Sequence, residues 1–230
     1  MEKPIVSVSN LYKSYKEGTQ ENAILENINF DVKKGERISI MGPSGSGKTT
    51  LLNVLSGLDE VTKGSIIIKE NDITNMSISQ RTKFRRGNVG FIFQNYNLVQ
   101  SLTAVENTML PLLMNGFSRK KAIKEAEKML ELVDLIHRKN AFPNKLSGGE
   151  KQRVAIVRAL IHHPSVIFAD EPTGNLDRVT SRTITKIMDD LNKEFQQTMI
   201  IVTHDLEVTK VCDRSYHLNG HLKEISNGEI

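Results

Sequence analysis

The stretch that decides the fold is "RISIMGPSGSGKTTLLNVL", residues 37–55. Its first five residues are mostly apolar and typical of a short buried strand, whereas its last residues have helical character. Between them, residues 42–49 fit the pattern G-x-x-x-x-G-K-[ST], in which glycines let the backbone fold around a phosphate and point its N–H groups inward. A strand, a glycine loop and a helix in this order predict a phosphate-binding loop.

The residue types in this loop indicate what each one would do. The helix that begins near Lys48 adds the positive end of its dipole, Lys48 reaches the outer phosphates, and the Thr49 hydroxyl can ligate Mg²⁺. The alternative is a glycine-rich turn that matches by chance, which the flanking strand and helix disfavour. The residues expected to hold a nucleotide are Gly42, Pro43, Ser44, Gly45, Ser46, Gly47, Lys48, Thr49 and Thr50.

Two carboxylates follow an apolar strand in "VIFADE", residues 166–171. An acid at the end of such a strand, near a phosphate loop, can hold Mg²⁺ through water, and this role is predicted for Asp170. Glu171 would then polarise the attacking water as a general base. Taken alone, a solvent-exposed strand end would look identical, so this interpretation depends on the phosphate loop.

His204 ends the next apolar run, "TMIIVTH" at 198–204. A lone histidine at a strand end is usually structural. However, neighbouring parallel strands end at the same edge of a sheet, which is where ligands bind. A neutral imidazole at that edge could contact the γ-phosphate and the catalytic water, so His204 is a candidate catalytic residue.

The stretch "LSGGEKQR", residues 146–153, precedes an apolar run typical of a buried helix. Ser147 and Glu150 have the spacing of a capping box, which predicts that a helix begins there. Gly148 and Gly149 then fill the first turn, although a glycine inside a helix costs about 1 kcal/mol relative to alanine. A helix N-terminus without side chains exposes its N–H groups to an anion, which a simple cap does not explain.

The rest of the chain predicts an α/β core that is interrupted by helices. Helical patterns dominate from Gln94 to about Pro164, including a helix at 119–133 that Ser118 caps. A further helix is expected at 178–195, and a hairpin around Asn219-Gly220. Alternating or continuous apolar runs predict strands at 5–9, 23–32, 37–41, 64–69, 88–93, 166–170 and 198–204.

Composition limits the classes of function. The chain has 230 residues, 31 of them basic and 27 acidic, and a net charge of +4 without a dense basic block, so we expect no nucleic-acid partner. Cys212 is the single cysteine, which fits a reducing cytoplasm. The first ten residues lack the apolar segment of a signal peptide, and no apolar run approaches the roughly 18 residues of a membrane span. Any membrane role is expected to come through a partner.

These motifs, in this order, resemble the ATP-binding subunits of ABC transporters over nearly the whole chain. Longer runs, such as "VGFIFQNYNLVQSLTAVENTMLPL" at 89–112, look like the lipoprotein-release and macrolide-export (LolD/MacB-like) group. The motifs that carry the resemblance are the Walker A loop at 42–49, Walker B at 166–171, the Q-loop glutamine Gln94, the signature at 146–150, the D-loop at 174–177 and the switch histidine His204.

The resemblance implies a fold and a set of cofactors. The fold would be a P-loop NTPase (RecA-like) α/β core with a mostly parallel sheet, an N-terminal antiparallel β subdomain and an inserted helical subdomain. Residues 1–93 and 164–230 would form the core and residues 94–163 the helical subdomain of one ABC ATPase domain. The implied cofactors are ATP and Mg²⁺, with Tyr15 stacking on adenine and Tyr12 as the alternative.

The resemblance also implies a mechanism. Two copies would bind ATP head to tail, so that Ser147, Gly148, Gly149 and Glu150 of one copy meet the nucleotide held by the other. The implied catalytic residues are Lys48, Gln94, Glu171 and His204, and the implied metal ligands are Thr49, Gln94 and Asp170.

A membrane permease would contact the chain near residues 94–111 and hold it at the cytoplasmic face of the cell membrane. The expected function is to power that permease in export, lipoprotein release or antimicrobial-peptide resistance. The alternative is a regulatory ATPase that drives a membrane partner without cargo transport, as in cell division or peptide sensing.

Overall fold

Two β-sheets of different character form the framework of the chain. The computed structural model describes residues 3–18 and 20–225. Its strands are β1 (Val6–Glu17), β2 (Gln20–Val32), β3 (Arg37–Met41), β4 (Lys63–Ile68), β5 (Asn71–Asp72), β6 (Val89–Ile92), β7 (Val166–Asp170), β8 (Met199–Val202), β9 (Arg214–Asn219) and β10 (His221–Ile225). Its helices are α1 (Lys48–Leu55), α2 (Ile78–Asn88), α3 (Ala104–Met114), α4 (Arg119–Leu132), α5 (Gly148–Leu160), α6 (Arg178–Phe195) and α7 (Leu206–Thr209).

The larger sheet has the strand order β10-β9-β3-β8-β7-β6, and only β10 runs antiparallel to its neighbour. Its central strands β7 and β8 are buried on both faces, which explains why their sequences are continuous apolar runs. In register, Val202 pairs with both Ile40 and Asp170. The carboxyl ends of β3, β7 and β8 therefore meet at one edge of the sheet.

The smaller sheet is antiparallel, with the strand order β2-β1-β4-β5. The described residues form two hydrophobic cores, and β7 contributes to both because its side chains alternate between the two faces of the large sheet. Ile167 and Ala169 pack in the core with α3, α4 and α5. Val166 and Phe168 pack in the core shared by α1 and the small sheet. This architecture confirms the predicted fold class, a mainly parallel α/β core with an antiparallel β subdomain.

Between β6 and β7 the structure has three long helices, α3 to α5, and the 3₁₀ turns Ile136–Arg138 and Pro143–Lys145. Ser118 occupies the N-cap position of α4, but its side chain makes no capping hydrogen bond. The predicted hairpin forms from β9 and β10, except that Ser226, its expected last residue, lies outside the described residues. None of the helices within residues 3–18 and 20–225 has the length and apolar character that a membrane crossing requires.

Helix α2 was not predicted from the sequence. It is mostly polar and buries only Arg81 and Phe84, so it lacks the apolar stripe that marks a helix. The signal that was present is a capping box, because Ser77 Oγ accepts from the Gln80 N–H while the Gln80 side chain accepts from the Ser77 N–H.

Candidate nucleotide-binding and hydrolysis site

The glycine loop joins the end of β3 to the start of α1, as its sequence predicts. Gly47 is the N-cap of α1 in a left-handed conformation with φ 93°, which favours glycine. A Cβ there would also lie 2.9 Å from Ile24 Cγ2. A Cβ at Gly42 would lie 2.3 Å from the carbonyl oxygen of Leu218 in β9. The loop thus needs both glycines in order to pack against its neighbours.

The groups inside the loop suit a phosphate. The Lys48 ammonium donates to the carbonyl oxygens of Gly42, at 2.9 Å, and Pro43, at 2.8 Å, so the side chain folds back over the loop. Ser46 Oγ is buried and has no hydrogen-bond partner among the described residues. A buried hydroxyl without a partner is unfavourable, and a phosphate oxygen would supply one. The residues present therefore fit a nucleotide phosphate.

The predicted metal ligands Thr49 and Asp170 lie together. Thr49 Oγ1 is 3.5 Å from Asp170 Oδ2. Burial, together with the neighbouring charge of Glu171, raises the pKa of Asp170, so its carboxylate lacks sufficient compensating charge. Within the described residues no three His, Cys, Asp or Glu side chains form a metal cluster. Mg²⁺ is commonly held by one or two carboxylates together with substrate phosphates, and the Thr49–Asp170 pair fits that mode.

Glu171 and His204 are hydrogen-bonded to each other. Glu171 Oε2 accepts from the backbone N–H of His204 at 3.2 Å and lies 2.8 Å from its ring Nδ1. Glu171 has a left-handed backbone with φ 46°, which is unusual for a residue other than glycine. The Glu171 N–H donates to the Val202 carbonyl at 2.9 Å. Backbone strain of this kind is concentrated at functional sites, and here it places the carboxylate that follows β7 beside the histidine that follows β8.

Gln94 is joined to the D-loop. The Asn175 side chain donates to the Gln94 carbonyl oxygen at 3.0 Å and to Asn95 Oδ1 at 2.8 Å, while Gln94 Nε2 is 3.4 Å from Asn175 Oδ1. In the described part of the chain no hydrogen bond joins Gln94 to Thr49 or Asp170. Its role as a metal ligand stays a prediction, and its observed contacts connect two of the motifs.

The signature begins α5 with the predicted capping box. The Ser147 N–H donates to Glu150 Oε2 at 2.7 Å, and the Glu150 N–H donates to Ser147 Oγ at 3.2 Å. The backbone hydrogen bond from Ser147 lowers the pKa of Glu150, and the charge of Arg138 adds to this effect. The N-terminus of α5 is therefore capped by residues of its own chain. The Glu150 carboxylate is already paired with the Ser147 backbone and with Arg138.

The two signature glycines have different surroundings. A Cβ at Gly149 would lie 2.7 Å from Thr180 Cγ2, so close packing of α5 against α6 requires glycine there. A Cβ at Gly148 would lie 3.1 Å from the Tyr96 hydroxyl and 3.2 Å from Leu176 Cδ2. The interpretation that both glycines serve only to expose N–H groups is therefore incomplete, because Gly149 also has a packing role.

The structure brings together one part of the predicted site and separates the other. Lys48, Asp170, Glu171 and His204 gather at the edge where β3, β7 and β8 end. The signature instead lines a separate cavity of about 400 Å³ with Asn175, Leu176 and Thr180, and no phosphate-loop residue lines that cavity in the described part of the chain. One chain thus carries two parts of a site that do not meet.

Tyr15 lies beside the predicted nucleotide residue Thr50. Its hydroxyl donates to Asp59 Oδ2 at 2.7 Å, and the Lys13 ammonium lies 4.6 Å from the ring centroid. Burial, with Asp59 as its acceptor, raises the pKa of Tyr15. The ring remains 41% exposed, which leaves apolar surface for stacking. The sequence does not predict that Asp59 accepts from Tyr15, because nothing in the local sequence of Asp59 links the two residues.

Tyr12 has a different neighbour. Its ring faces Lys63, whose ammonium is 5.7 Å from the ring centroid. This geometry favours Tyr15 over Tyr12 as the adenine-stacking residue, because Tyr15 is the one beside the phosphate loop. Both assignments stay predictions.

A strand-loop-helix phosphate site at the carboxyl edge of a parallel sheet defines the class of P-loop NTPases. The sequence profile of the ABC transporter family matches residues 25–174. The chain belongs to this family and is similar to its ATP-binding subunits, which confirms the resemblance seen in the sequence.

Individual relatives agree with the family profile. The lipoprotein-releasing system ATP-binding protein LolD of Francisella tularensis is 43% identical over 225 residues, which cover 97% of each chain. An ABC transporter ATP-binding protein of Methanocaldococcus jannaschii is 44% identical over 224 residues, covering 97% of this chain and all of the relative. The dimeric post-hydrolysis structure of the ATP-binding cassette MJ0796, bound to ADP and Pi, is 40% identical with a TM-score of 0.88, covering 96% of this chain and 98% of that one.

Proposed function

We propose that this chain binds and hydrolyses ATP at a site that two copies complete together. The observation that carries the proposal is the separation described above, in which Lys48, Asp170, Glu171 and His204 share one edge while the signature lines another cavity. Each phosphate loop would face the signature of the other copy. The dimeric structures of a cassette that is 40% identical support this arrangement.

Each residue at the sheet edge has a role that follows from its chemistry. Lys48 and the loop N–H groups neutralise phosphate charge, and Thr49 with Asp170 would hold Mg²⁺, which supplies further charge neutralisation. Glu171 accepts a proton from the attacking water, and His204, whose backbone N–H donates to Glu171, positions the γ-phosphate. Gln94 links this edge to the D-loop through Asn175.

The dimer gives the signature its role. Gly148 leaves the first N–H groups of α5 accessible, and a helix N-terminus favours an anion. Ser147 and Glu150 keep that N-terminus in place through the capping box. In this arrangement the anion is the γ-phosphate bound to the other copy.

The membrane partner would bind in a groove between α2, α3 and the end of α5. The groove has a volume of about 400 Å³. The predicted contact region at 94–111 contributes Asn97, Leu110 and Pro111 to its lining. Arginines of α2, Phe91 of β6 and Phe93 also line it. Relatives named as lipoprotein-releasing ATP-binding proteins support a permease partner, which would hold the chain at the cytoplasmic face of the membrane.

Phosphate release tests the proposal. The purified chain should release phosphate from ATP only when Mg²⁺ is present, and Lys48→Ala should abolish that activity because it removes the charge over the loop. Lys120→Ala, an exposed change on α4, is the matched control and should keep full activity. Undiminished turnover by Lys48→Ala would contradict the assignment.

A further inference from the structure

The side chain of Tyr15 is held by an ion pair between Lys13 and Asp59. The Tyr15 hydroxyl donates to Asp59 Oδ2 at 2.7 Å, and the Lys13 ammonium lies 2.9 Å from the same carboxylate oxygen. That ammonium also lies over the Tyr15 ring, 4.6 Å from its centroid. The hydroxyl and one face of the ring are therefore held by two side chains that are paired with each other.

The cation of this pair is buried, whereas the ring is exposed. Lys13 is 6% exposed and Tyr15 is 41% exposed. A lysine is almost never fully buried unless it is paired, and Lys13 is paired with Asp59 and donates to the Glu60 carbonyl at 2.7 Å. Exposed side chains ordinarily change rotamer within nanoseconds. At Tyr15 a buried contact restricts an exposed ring.

Asp59 is a charged acceptor, which strengthens its hydrogen bond from Tyr15. Burial alone would raise the pKa of Asp59, but hydrogen bonds from Tyr15, Lys13 and the Glu60 N–H outweigh burial and lower it. Hydrogen bonds to an ionised group are about twice as strong as those between neutral groups. The Glu60 carboxylate in turn pairs with Arg81 of α2. The group that anchors Tyr15 is therefore itself tied to the β4 side of the fold.

The ring that is held in this way lies beside the phosphate loop. Tyr15 neighbours Thr50, which directly follows the loop at 42–49. The other candidate, Tyr12, faces the ammonium of Lys63 at 5.7 Å, and its hydroxyl makes no hydrogen bond within residues 3–18 and 20–225. A fixed aromatic face beside a phosphate site suits a nucleotide base, since every base has a face that can stack.

We infer that Lys13 and Asp59 are positioning residues for nucleotide binding, which fix the Tyr15 ring so that its open face meets the base already ordered. This role rests on the proposed function, because it needs ATP at the phosphate loop. Ordering a mobile side chain on binding weakens affinity by about two- to tenfold, and a ring that is held beforehand avoids this loss. In the described part of the chain, no hydrogen bond or ion pair joins Lys13 or Asp59 to residues 42–49. Loss of either side chain should therefore leave the phosphate loop unchanged.

Competition by inorganic triphosphate separates a role at the base from a general loss of structure. Asp59→Ala should raise KM for ATP about fivefold and change kcat by less than about twofold. Triphosphate has no base to stack, so its inhibition constant against ATP hydrolysis should change by less than about twofold. Asp59→Asn keeps an acceptor for the Tyr15 hydroxyl and should lose less affinity for ATP.

Tyrosine fluorescence gives a direct signal from the ring, because the chain has four tyrosines and no tryptophan. ATP should quench part of this emission, whereas triphosphate should not. Tyr15→Phe should remove the quenching, which assigns the signal to residue 15. In Asp59→Ala the quenching should remain, with half-saturation at about fivefold more ATP.

A double-mutant cycle tests whether Asp59 acts through the Tyr15 hydroxyl. Tyr15→Phe removes that hydroxyl without changing any charge, so it remains informative even if Asp59→Ala lowers stability in urea. Because both changes break one hydrogen bond, the double variant should raise KM no more than the more damaging single variant.

The second tyrosine supplies a matched control for the cation. Lys13→Met removes the ammonium over Tyr15 and should raise KM for ATP. Lys63→Met makes the same change beside Tyr12 and should leave KM unchanged.

Three results would contradict this role for Lys13 and Asp59. Equal weakening of ATP and triphosphate by Asp59→Ala would show that Asp59 supports only the fold. Additive effects in the double variant would show that Asp59 does not act through Tyr15. A raised KM in Lys63→Met but not in Lys13→Met would make Tyr12 the stacking residue. Phosphate release by the unmodified chain, and its loss in Lys48→Ala, would still decide the proposed function in each case.

Discussion

Glu171 Oε2 accepts a hydrogen bond from the backbone N–H of His204 at 3.2 Å and lies 2.8 Å from the ring Nδ1 of the same residue. The two residues follow the neighbouring parallel strands β7 and β8, so the sheet itself brings them together. Because Nδ1 lies against the carboxylate oxygen, Nε2 is the ring nitrogen available to a ligand. The proposed base and the proposed phosphate contact therefore act as one unit.

We expect His204→Ala to lower kcat for ATP by about 100-fold or more, with little change in ATP affinity. The change removes the ring but keeps the backbone N–H that bonds to Glu171, so the loop that holds phosphate is untouched. Steady-state phosphate release and equilibrium ATP binding measure the two effects. His204→Asn keeps a side-chain donor within reach of Glu171 and should lose less activity. Equal loss in both variants would contradict a positioning role for Nδ1.

Asp170→Asn should abolish activity without lowering the stability of the fold. The folded-state pKa of Asp170 is raised above its ordinary value, so the folded state binds more protons than the unfolded state between those two values. Stability from this group is therefore lost as pH rises through that window, and the charged carboxylate is destabilising at neutral pH.

The neutral variant is then expected to unfold at an equal or higher denaturant concentration at pH 7, while Mg²⁺-dependent ATPase activity is lost. Urea unfolding and phosphate release measure these two results. A clear loss of stability at pH 7 would show that the negative charge of Asp170 is compensated in the folded state, contrary to this expectation.

Gly149→Ala should destabilise the chain by about 1–3 kcal/mol, because the new methyl group would overlap Thr180 Cγ2. Thr180 cannot easily rotate away, since its hydroxyl is bonded to Asp177 at 2.5 Å. Urea unfolding measures the loss. Adding Thr180→Ser removes the methyl group that is struck and should restore most of the stability. Equal instability of the single and double variants would locate the strain elsewhere.

Gly148→Asp should keep ATP binding and lose hydrolysis. Its neighbours are the ends of the Tyr96 and Leu176 side chains, which can move, so the fold tolerates a side chain. The introduced carboxylate would, however, repel a phosphate from the N-terminus of α5. Gly148→Ala, which adds bulk without charge, is the control for the charge effect. Normal hydrolysis by Gly148→Asp would reduce the signature to a simple helix cap.

The local sequence was sufficient to predict those elements whose geometry depends on residues that are close together in the chain. The glycine loop between β3 and α1, the buried strands β7 and β8, and the capping box of α5 all follow from residues that are near in the chain. The grouping of Asp170 and His204 was also predictable, because parallel strands end at one edge of a sheet. For these elements the local pattern and the tertiary structure agree.

Contacts between distant residues were not predictable in this way. Helix α2 buries only Arg81 and Phe84, so its sequence shows no apolar period. The close approach of Gly149 to Thr180 depends on how α5 packs on α6, and neither residue signals it. The groove between α2, α3 and the end of α5 likewise brings together arginines from α2 and α5, which the sequence separates by more than seventy residues.

Sedimentation of Glu171→Gln with and without ATP measures whether two copies complete the ATP site. This variant keeps the phosphate loop and the signature but lacks the base, so ATP should bind between two copies and remain there. We expect a monomer without nucleotide and a stable dimer with ATP, and a return to monomer when Lys48→Ala is added. A Glu171→Gln chain that binds ATP and stays monomeric would contradict a site completed by two copies.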